Sequence, residues 1–321
     1  MAGYIARRFA QAVPVILAVV ILNFLIVHMA PGDPVTILVG EYGSTPEFRE
    51  RVRHEYGLDQ PVHTQLSVYL QRVLRGDLGY SLYFNQPVIR LILERLPATL
   101  LLMASQLAFA LVAGVALGVA AARHRYSIVD NASTVIALVG YSTPVFWSGL
   151  LLILLFSSTL GLLPSGGMVS PRERITGVAA VWDILRHLIL PACTLGLVNL
   201  ALYVRLTRAS MLEVLSQDYV RTAWAKGLAE RRVLRHHALR NALLPVVTIT
   251  GIDLGRMIGG AVLTETVFTW PGVGTLTYTA LQTRDYPVIV GTFMLTSVAV
   301  ILANLFVDVV YGILDPRIQY G

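Results

Sequence analysis

The chain predicts an all-α polytopic membrane protein with six transmembrane helices. Three observations carry that prediction. Of its 321 residues, 55% are hydrophobic and only 14% are charged. Its uncharged runs repeatedly reach the ~20 residues that a helix needs to cross a ~30 Å hydrocarbon layer. Its arginines gather between alternate runs, as the positive-inside rule requires of cytoplasmic segments. A net charge of +6 would hint at nucleic acid in a soluble protein, but here it reads as the arginine excess that sets orientation. Cys193, the single cysteine, excludes an intrachain disulfide and leaves the redox compartment open.

The first run, 9–29, follows Arg7 and Arg8. Its length and the non-small residues His28 and Met29 at its exit argue against a cleaved signal peptide, so residues 1–30 read as a retained anchor. Residues 31–96 read as an extracytoplasmic helical segment. Thr45 caps a helix that begins at Pro46 and ends near Gly57. A second helix runs from Pro61 to just before Gly76, with Leu66, Tyr69, Leu70, Val73 and Leu74 at helical spacing. Two such helices suit either a cap or docking point over a pore, or a structured tether between spans.

The remaining five spans form a core, 97–315. Residues 97–122 are uncharged and carry Gly114 and Gly118, a spacing that lets another helix approach closely. Between Asp130 and Arg172 no residue is charged; Pro144 is expected to kink this third helix, and "GLLPSGG" (161–167) to end it. The fourth run is 187–204, the fifth 243–268 and the sixth 287–311, the last with Asp308 near its end. With Arg7 and Arg8 inside, the inner segments (the amino terminus, 123–130, 205–240 and the carboxyl tail) carry 2, 2, 8 and 1 Lys/Arg, against 3 and 1 in the short outer loops. The long segment 30–96 holds seven beside eight Asp/Glu and follows the charge rule poorly. Both termini are therefore predicted to be cytoplasmic.

The longest inner segment, 208–244, holds the most unusual stretch, "DYVRTAWAKGLAERRVLRHHALRNALLP" (218–245), with six Lys/Arg and two His. Ser210 and Glu213 have capping-box spacing, which predicts a helix from about Met211 to Lys226, closed by Gly227. A second helix starts near Ala229, with Arg232, Arg235, His236 and Arg240 on one side and Val233, Leu234 and Ala238 on the other. A positive-inside loop lying on anionic lipid explains the arginines but not the glycine turn or the apolar "AWA" before it. A nucleic-acid site lacks interleaved aromatics beyond Tyr219 and Trp224. A docking element for a cytoplasmic protein explains all of these features.

Candidate chemistry inside the membrane is sparse. Asp253 and Arg256 stand three apart in the fifth run, close enough to pair, and each central charge costs on the order of 3 kcal/mol to insert. Together with Glu265 they are the candidates for a translocation path; a structural ion pair is the alternative. His28 reads as interfacial rather than a metal ligand. There is no HExxH, no paired-carboxylate site and no Gly-Lys-Ser/Thr: Lys226, the only lysine, is flanked by Ala225 and Gly227. The chain is not expected to be an enzyme, and any ATP it depends on is hydrolysed by another polypeptide.

The basic stretch resembles the cytoplasmic loop of ABC-transporter permeases, and is closest to the dipeptide/oligopeptide/nickel importer branch. "YVRTA…AKGL" and "RHHALRNALLP" carry the resemblance here. It extends to "RRFAQAVP…HMAPGDP", "GDLGYSLYFNQPV…RLPATL" and "ETVFTWPGVG", in order along nearly the whole chain. Gly227 matches the motif glycine and Ala223 its second alanine. Arg221 and Thr222 replace the generic Glu and Ala, Leu239 and Arg240 stand at its Leu-Pro, and Trp224 replaces a frequent arginine. The resemblance implies a type I ABC-importer permease-like core with a peripheral N-terminal helix, in a bacterial inner membrane. It implies that Asp218, Tyr219, Thr222, Ala223, Ala225, Lys226, Gly227 and Leu228 form the ATPase-coupling loop. The implied partners are a second homologous permease, two cytoplasmic ATPase subunits that bind ATP and Mg, an extracytoplasmic solute-binding protein and the lipid bilayer, with no nucleic acid. No cofactor is expected in this chain. A self-sufficient ion- or proton-coupled transporter would use the intramembrane charges, but it leaves the basic loop idle and lacks a clear inverted repeat.

Overall fold

A computed structural model describes residues 2–29, 35, 45–55, 59–170, 176–256 and 262–314. The chain divides into two compact units, one of residues 1–100, 254–266 and 271–321, the other of residues 101–253 and 267–270. Regular structure is almost entirely helical, with one antiparallel pair of two-residue strands, β1 (Tyr80–Ser81) and β2 (Gln86–Pro87), in register Tyr80 with Pro87.

In the first unit α1 (Ala2–Met29) lies against α14 (Tyr286–Leu314). Outside them, Thr45 caps α2 (Pro46–Glu55): its Oγ1 accepts the Phe48 N–H at 3.2 Å. The expected end near Gly57 lies outside the described residues. Helix α3 (Val62–Leu74) closes as expected, because Gly76 takes φ +77° and lets the Gly76 and Asp77 N–H groups bond the Val73 and Arg72 carbonyls. Tyr69 is half-buried, its ring 5.6 Å from that of Phe24 and its hydroxyl 3.7 Å from the Met294 sulfur. Leu74, expected on the same apolar stripe, is 86% exposed: α3 lays down a narrower stripe than the spacing suggested. The hairpin β1–β2 leads straight into α4 (Val88–Arg123), and Val88, Leu91 and Ile92 form a buried cluster with Leu276, Ala280 and Val288.

In the second unit α4 meets α7 (Val178–Leu215), and the two helices come as close as the glycine spacing predicted. A Cβ on Gly118 would stand 2.6 Å from the Thr207 Cβ and 2.9 Å from the Val204 carbonyl. The third run is broken rather than kinked. Helix α5 (Ile128–Ser142) stops and Thr143 turns extended at φ −86°, ψ 133°, as a residue before proline tends to. Helix α6 (Val145–Leu152), widened into a π-helical stretch at Ile153–Thr159, departs at 110° to α5.

Helix α7 is the largest departure. Instead of a short span followed by a new helix at Met211, one 38-residue helix runs through both, and Ser210 is buried inside it. The Ser210/Glu213 capping box does not form, because nothing between Val204 and Ser210 interrupts the helical bonding; even Pro191 is absorbed. The fifth run is described as α11 (Leu244–Arg256) and α12 (Val262–Val267), after which α13 (Val273–Thr283) precedes α14. By length and composition α4, α7 and α14 each suffice to cross a membrane, and the pair α5–α6 adds a fourth candidate.

Candidate functional site

The basic stretch folds into two short helical segments joined at Gly227. Helix α8 (Asp218–Ala225) starts after Gln217, without a side-chain cap, and Asp218 puts a negative charge in its first turn, where the helix dipole favours it. Lys226 ends it, and Gly227 adopts φ +73° with open space around its Cα. The Gly227 N–H bonds the Trp224 carbonyl at 2.9 Å and the Leu228 N–H bonds the Ala223 carbonyl at 3.4 Å. That double closure is the Schellman arrangement, and it needs a residue that tolerates the left-handed region. A side chain there would be strained by its own backbone and not by its neighbours.

The second segment begins as α9 (Glu230–Arg232), widens into a π-helical stretch at Val233–Ala238 and returns as α10 (Leu239–Ala242). Val233 and Ala238 are buried; Arg232, Arg235, His236 and Arg240 are exposed. Val220 and Ala223 of α8 pack on Val233 with Leu228 and Leu215 around them. Burying each valine contributes about 2 kcal/mol. Ala238 and Ala242 meet Met211 of α7 and Ala122 of α4, so the loop is seated on the ends of two long helices. Tyr219 ties the two segments: its hydroxyl accepts from Asn241 Nδ2 at 2.7 Å and donates to the His237 carbonyl at 3.4 Å.

What remains outside is informative. Asp218, Thr222, Ala225 and Lys226 are exposed, and so are Tyr219 (43%) and Trp224 (44%). The Arg221–Asp218 pair at 3.3 Å is so solvated that it contributes little. Helix α8 therefore presents an aromatic and cationic outer face on a rigid seat, which suits protein contact. Ala223 and Leu228, expected among the coupling residues, instead face inward and hold the turn together.

Sequence spacing missed the polar bonds that fix this region. Asp130 accepts a bidentate pair from Arg208, Nε–Oδ1 at 2.6 Å and Nη2–Oδ2 at 2.7 Å, and also the Tyr126 N–H at 3.0 Å. Ser127 caps α5 by accepting the Val129 and Asp130 N–H groups. Ser127 and Asp130 have the same Ser-x-x-acid spacing as Ser210 and Glu213, and this signal was there to be read. Arg123 reaches Glu230 at 2.7 Å.

The intramembrane candidates separate. Tyr203, fully buried, donates its hydroxyl to Asp253 Oδ2 at 2.8 Å. Asp253 is thus half-buried with a neutral partner. The side chains of Arg256, His28 and Asp308 lie outside the described residues. Glu265, the third candidate for the path, is fully buried and hydrogen-bonded. Thr99 Oγ1 donates to its Oε1 at 2.8 Å and the Thr275 N–H to its Oε2 at 3.0 Å, while the Val273 N–H donates to Thr99 Oγ1 at 2.8 Å. Glu265 is a remote cap on the N-terminus of α13, with Gly272 and Gly274 leaving no room beside it. Among the described residues no group of three or more His, Cys, Asp or Glu is placed to hold a metal.

Residues 114–320 match the family described as binding-protein-dependent transport system inner membrane component, and residues 1–103 match its N-terminal family. The chain is 44% identical to the dipeptide transport system permease protein DppB of Escherichia coli strain K12, covering 100% of this chain and 99% of that one. It is 42% identical to the di/tripeptide transport system permease protein DppB of Pseudomonas aeruginosa strain UCBPP-PA14, over 100% of this chain and 99% of the relative. It is 43% identical to the oligopeptide transport system permease protein AppB of Bacillus subtilis strain 168, over the full length of both. The chain belongs to the family of binding-protein-dependent transport system inner membrane components: it is a permease subunit of an ABC importer, a transport protein and not an enzyme.

Proposed function

We propose that this permease imports short peptides, as half of a translocation path completed by a second homologous permease. The observation that carries the coupling reading is the rigid helix–glycine–helix loop, seated on α4 and α7 with an aromatic and cationic face left open. The peptide reading rests on relatives whose names specify dipeptide, di/tripeptide and oligopeptide transport. In this reading the chain has six spans with both termini and residues 218–228 on the cytoplasmic side, so that the open face meets two ATPase subunits. A solute-binding protein delivers substrate from outside. ATP and Mg bind to the ATPases, whose closure pushes α8 and tilts α7 and α11. The stronger binding of ATP to one of the two states supplies the bias.

Among the described residues Asp253 is suited to a peptide's ammonium group: it stands in an apolar segment with a tyrosine hydroxyl on one oxygen, the alternative being a structural pair with Arg256. On this reading Asp253→Asn lowers uptake of a free-amino dipeptide by roughly tenfold. Unchanged uptake would assign the carboxylate to a structural role, in the Tyr203 bond or that pair. The overall reading is tested by uptake of a radiolabelled dipeptide into proteoliposomes, with the complete assembly and with this chain alone. Uptake only with the ATPases and ATP supports it; uptake by the chain alone without ATP overturns it in favour of a self-sufficient transporter.

A further inference from the structure

Arg208 and Asp130 are the most completely engaged ion pair among the described residues of the second unit. The Asp130 side chain is 5% exposed and that of Arg208 28%. Both guanidinium-to-carboxylate bonds are short, at 2.6 and 2.7 Å, and Asp130 Oδ2 also holds the Tyr126 N–H at 3.0 Å. Stability is a poor explanation for such a pair, since well-packed apolar residues commonly do as well once desolvation is counted. What apolar packing does not supply is a fixed direction. Burial is non-directional, whereas a bidentate fork sets both distance and angle.

The placement gives that direction a use. Arg208 stands on α7 one turn after Tyr203 and Val204 and ahead of the residues that lead into α8. Asp130 stands in the first turn of α5, and its bond to the Tyr126 N–H also grips the turn that follows α4. On the far side of the same turn Arg123, the last residue of α4, reaches Glu230, the first residue of α9. Residues 123–130 are thus clamped at one end to the helix that enters residues 218–228 and, at the other, touch the segment that leaves them through a half-exposed pair.

We propose that Asp130 and Arg208 are positioning residues of transport: their clamp delivers movement of residues 218–228 to α4 and α5 as well as to α7. Without it the loop still docks and the ATPases still turn over, but the stroke is lost in sliding of the apolar seat. The inference rests on the assignment of residues 218–228 as the docking loop. That assignment fails first if ATPase subunits do not co-purify with the unaltered chain.

The test uses the complete transporter in proteoliposomes and reads radiolabelled dipeptide taken up per ATP hydrolysed. Asp130→Asn keeps the shape and loses the charge; Arg208→Lys keeps the charge and loses the fork. In both the ATPase subunits co-purify and basal hydrolysis stays within about twofold, while uptake per ATP falls about tenfold and about threefold respectively. The double variant Asp130→Leu/Arg208→Met separates positioning from structure. An apolar pair restores folding and assembly, so a structural role predicts restored uptake per ATP, whereas the clamp predicts that it stays low. Unchanged uptake per ATP in Asp130→Asn, recovery in the double variant, or loss of ATPase co-purification in both single variants would each overturn the proposal.

Discussion

Buried carboxylates occur in both units, and among the described ones Asp130 of the second unit is satisfied with different chemistry from Asp183, Glu265 and Asp285. In the first, Glu265 and Asp285 accept only from neutral donors: Thr99 and the Thr275 N–H for Glu265, Ser81 and the Val288 N–H for Asp285. In the second, Asp183 likewise accepts from the Ser170 N–H and hydroxyl, whereas Asp130 is held by a guanidinium on a long side chain. Hydroxyls and backbone N–H groups at helix starts are short and cannot follow a moving partner, so they weld elements together. An arginine reaches further and grips a carboxylate in a planar fork, so it can hold two helices in one geometry across a longer span. The contrast sets a frame of short bonds around α13 and α14 apart from the link of residues 218–242, beside which Asp130 and Arg208 clamp α5 to α7.

The largest expected effect lies in the frame. Glu265→Ala strands the Thr275 N–H and one Thr99 bond in a buried site and opens a cavity. It should cost about 3 kcal/mol, read as a lowered unfolding temperature of the purified transporter. A loss no larger than that of a surface substitution would break the contrast at once. Next comes Gly227→Val in the link. Open space around Gly227 rules out a clash, so the cost is the left-handed backbone alone, about 1–2 kcal/mol for a β-branched residue. That is enough to unwind the turn and reduce uptake roughly tenfold while the chain remains in the membrane. Gly227→Asn, which tolerates this region, should retain most activity, and equal activity for Val and Asn would remove the turn from the mechanism.

Asp285 sharpens the comparison. Burial holds its pKa above the ordinary carboxylate range, against the pull of the Ser81 and Val288 bonds. A raised folded value means that the folded chain binds the proton more tightly than the unfolded one. Stability therefore falls as pH rises from the unfolded pKa to the raised value. Asp285→Asn should be within about 1 kcal/mol of the unaltered chain at neutral pH, since the Ser81 hydroxyl can reverse its bond to accept from the amide. The unaltered chain should gain on that variant as pH drops toward 4, measured by thermal unfolding; a constant difference would contradict it. Smallest of all is Glu230→Gln. The Arg123–Glu230 pair is about half exposed on both sides, so unfolding should shift by no more than about 0.5 kcal/mol.

The same division marks what could be read from the residues. Local signals with a steric cause were legible: the Thr45 cap, the turns at Gly76 and Gly227, and the close approach at Gly118 each follow from the residue itself. Helix breaks were less so. Pro144 ends a helix and Pro191 does not, because one is preceded by an extended Thr143 and the other lies in a long helix held by its neighbours. Capping spacing misled at Ser210, inside an unbroken helix, while the same spacing at Ser127, which does cap α5, went unread. Long-range partners had no local signature: Asp130 and Arg208 are 78 residues apart, Tyr203 and Asp253 are 50 apart, and Glu265 and Thr99 are 166 apart. Glu265 reads as a path candidate because charge in an apolar run signals function, while its hydrogen-bond partners belong to elements that no spacing rule connects.

The most direct measurement is a cross-link from the outer face of α8. With Cys193→Ser removing this chain's only native thiol, a Trp224→Cys substitution alkylated with a benzophenone maleimide and irradiated in native membranes should give an adduct with the ATPase subunit. Its yield should change when ATP is added. If position 224 forms no adduct with the ATPase while a membrane-impermeant thiol reagent labels it from outside, the loop is on the wrong side of the bilayer and the coupling account is wrong.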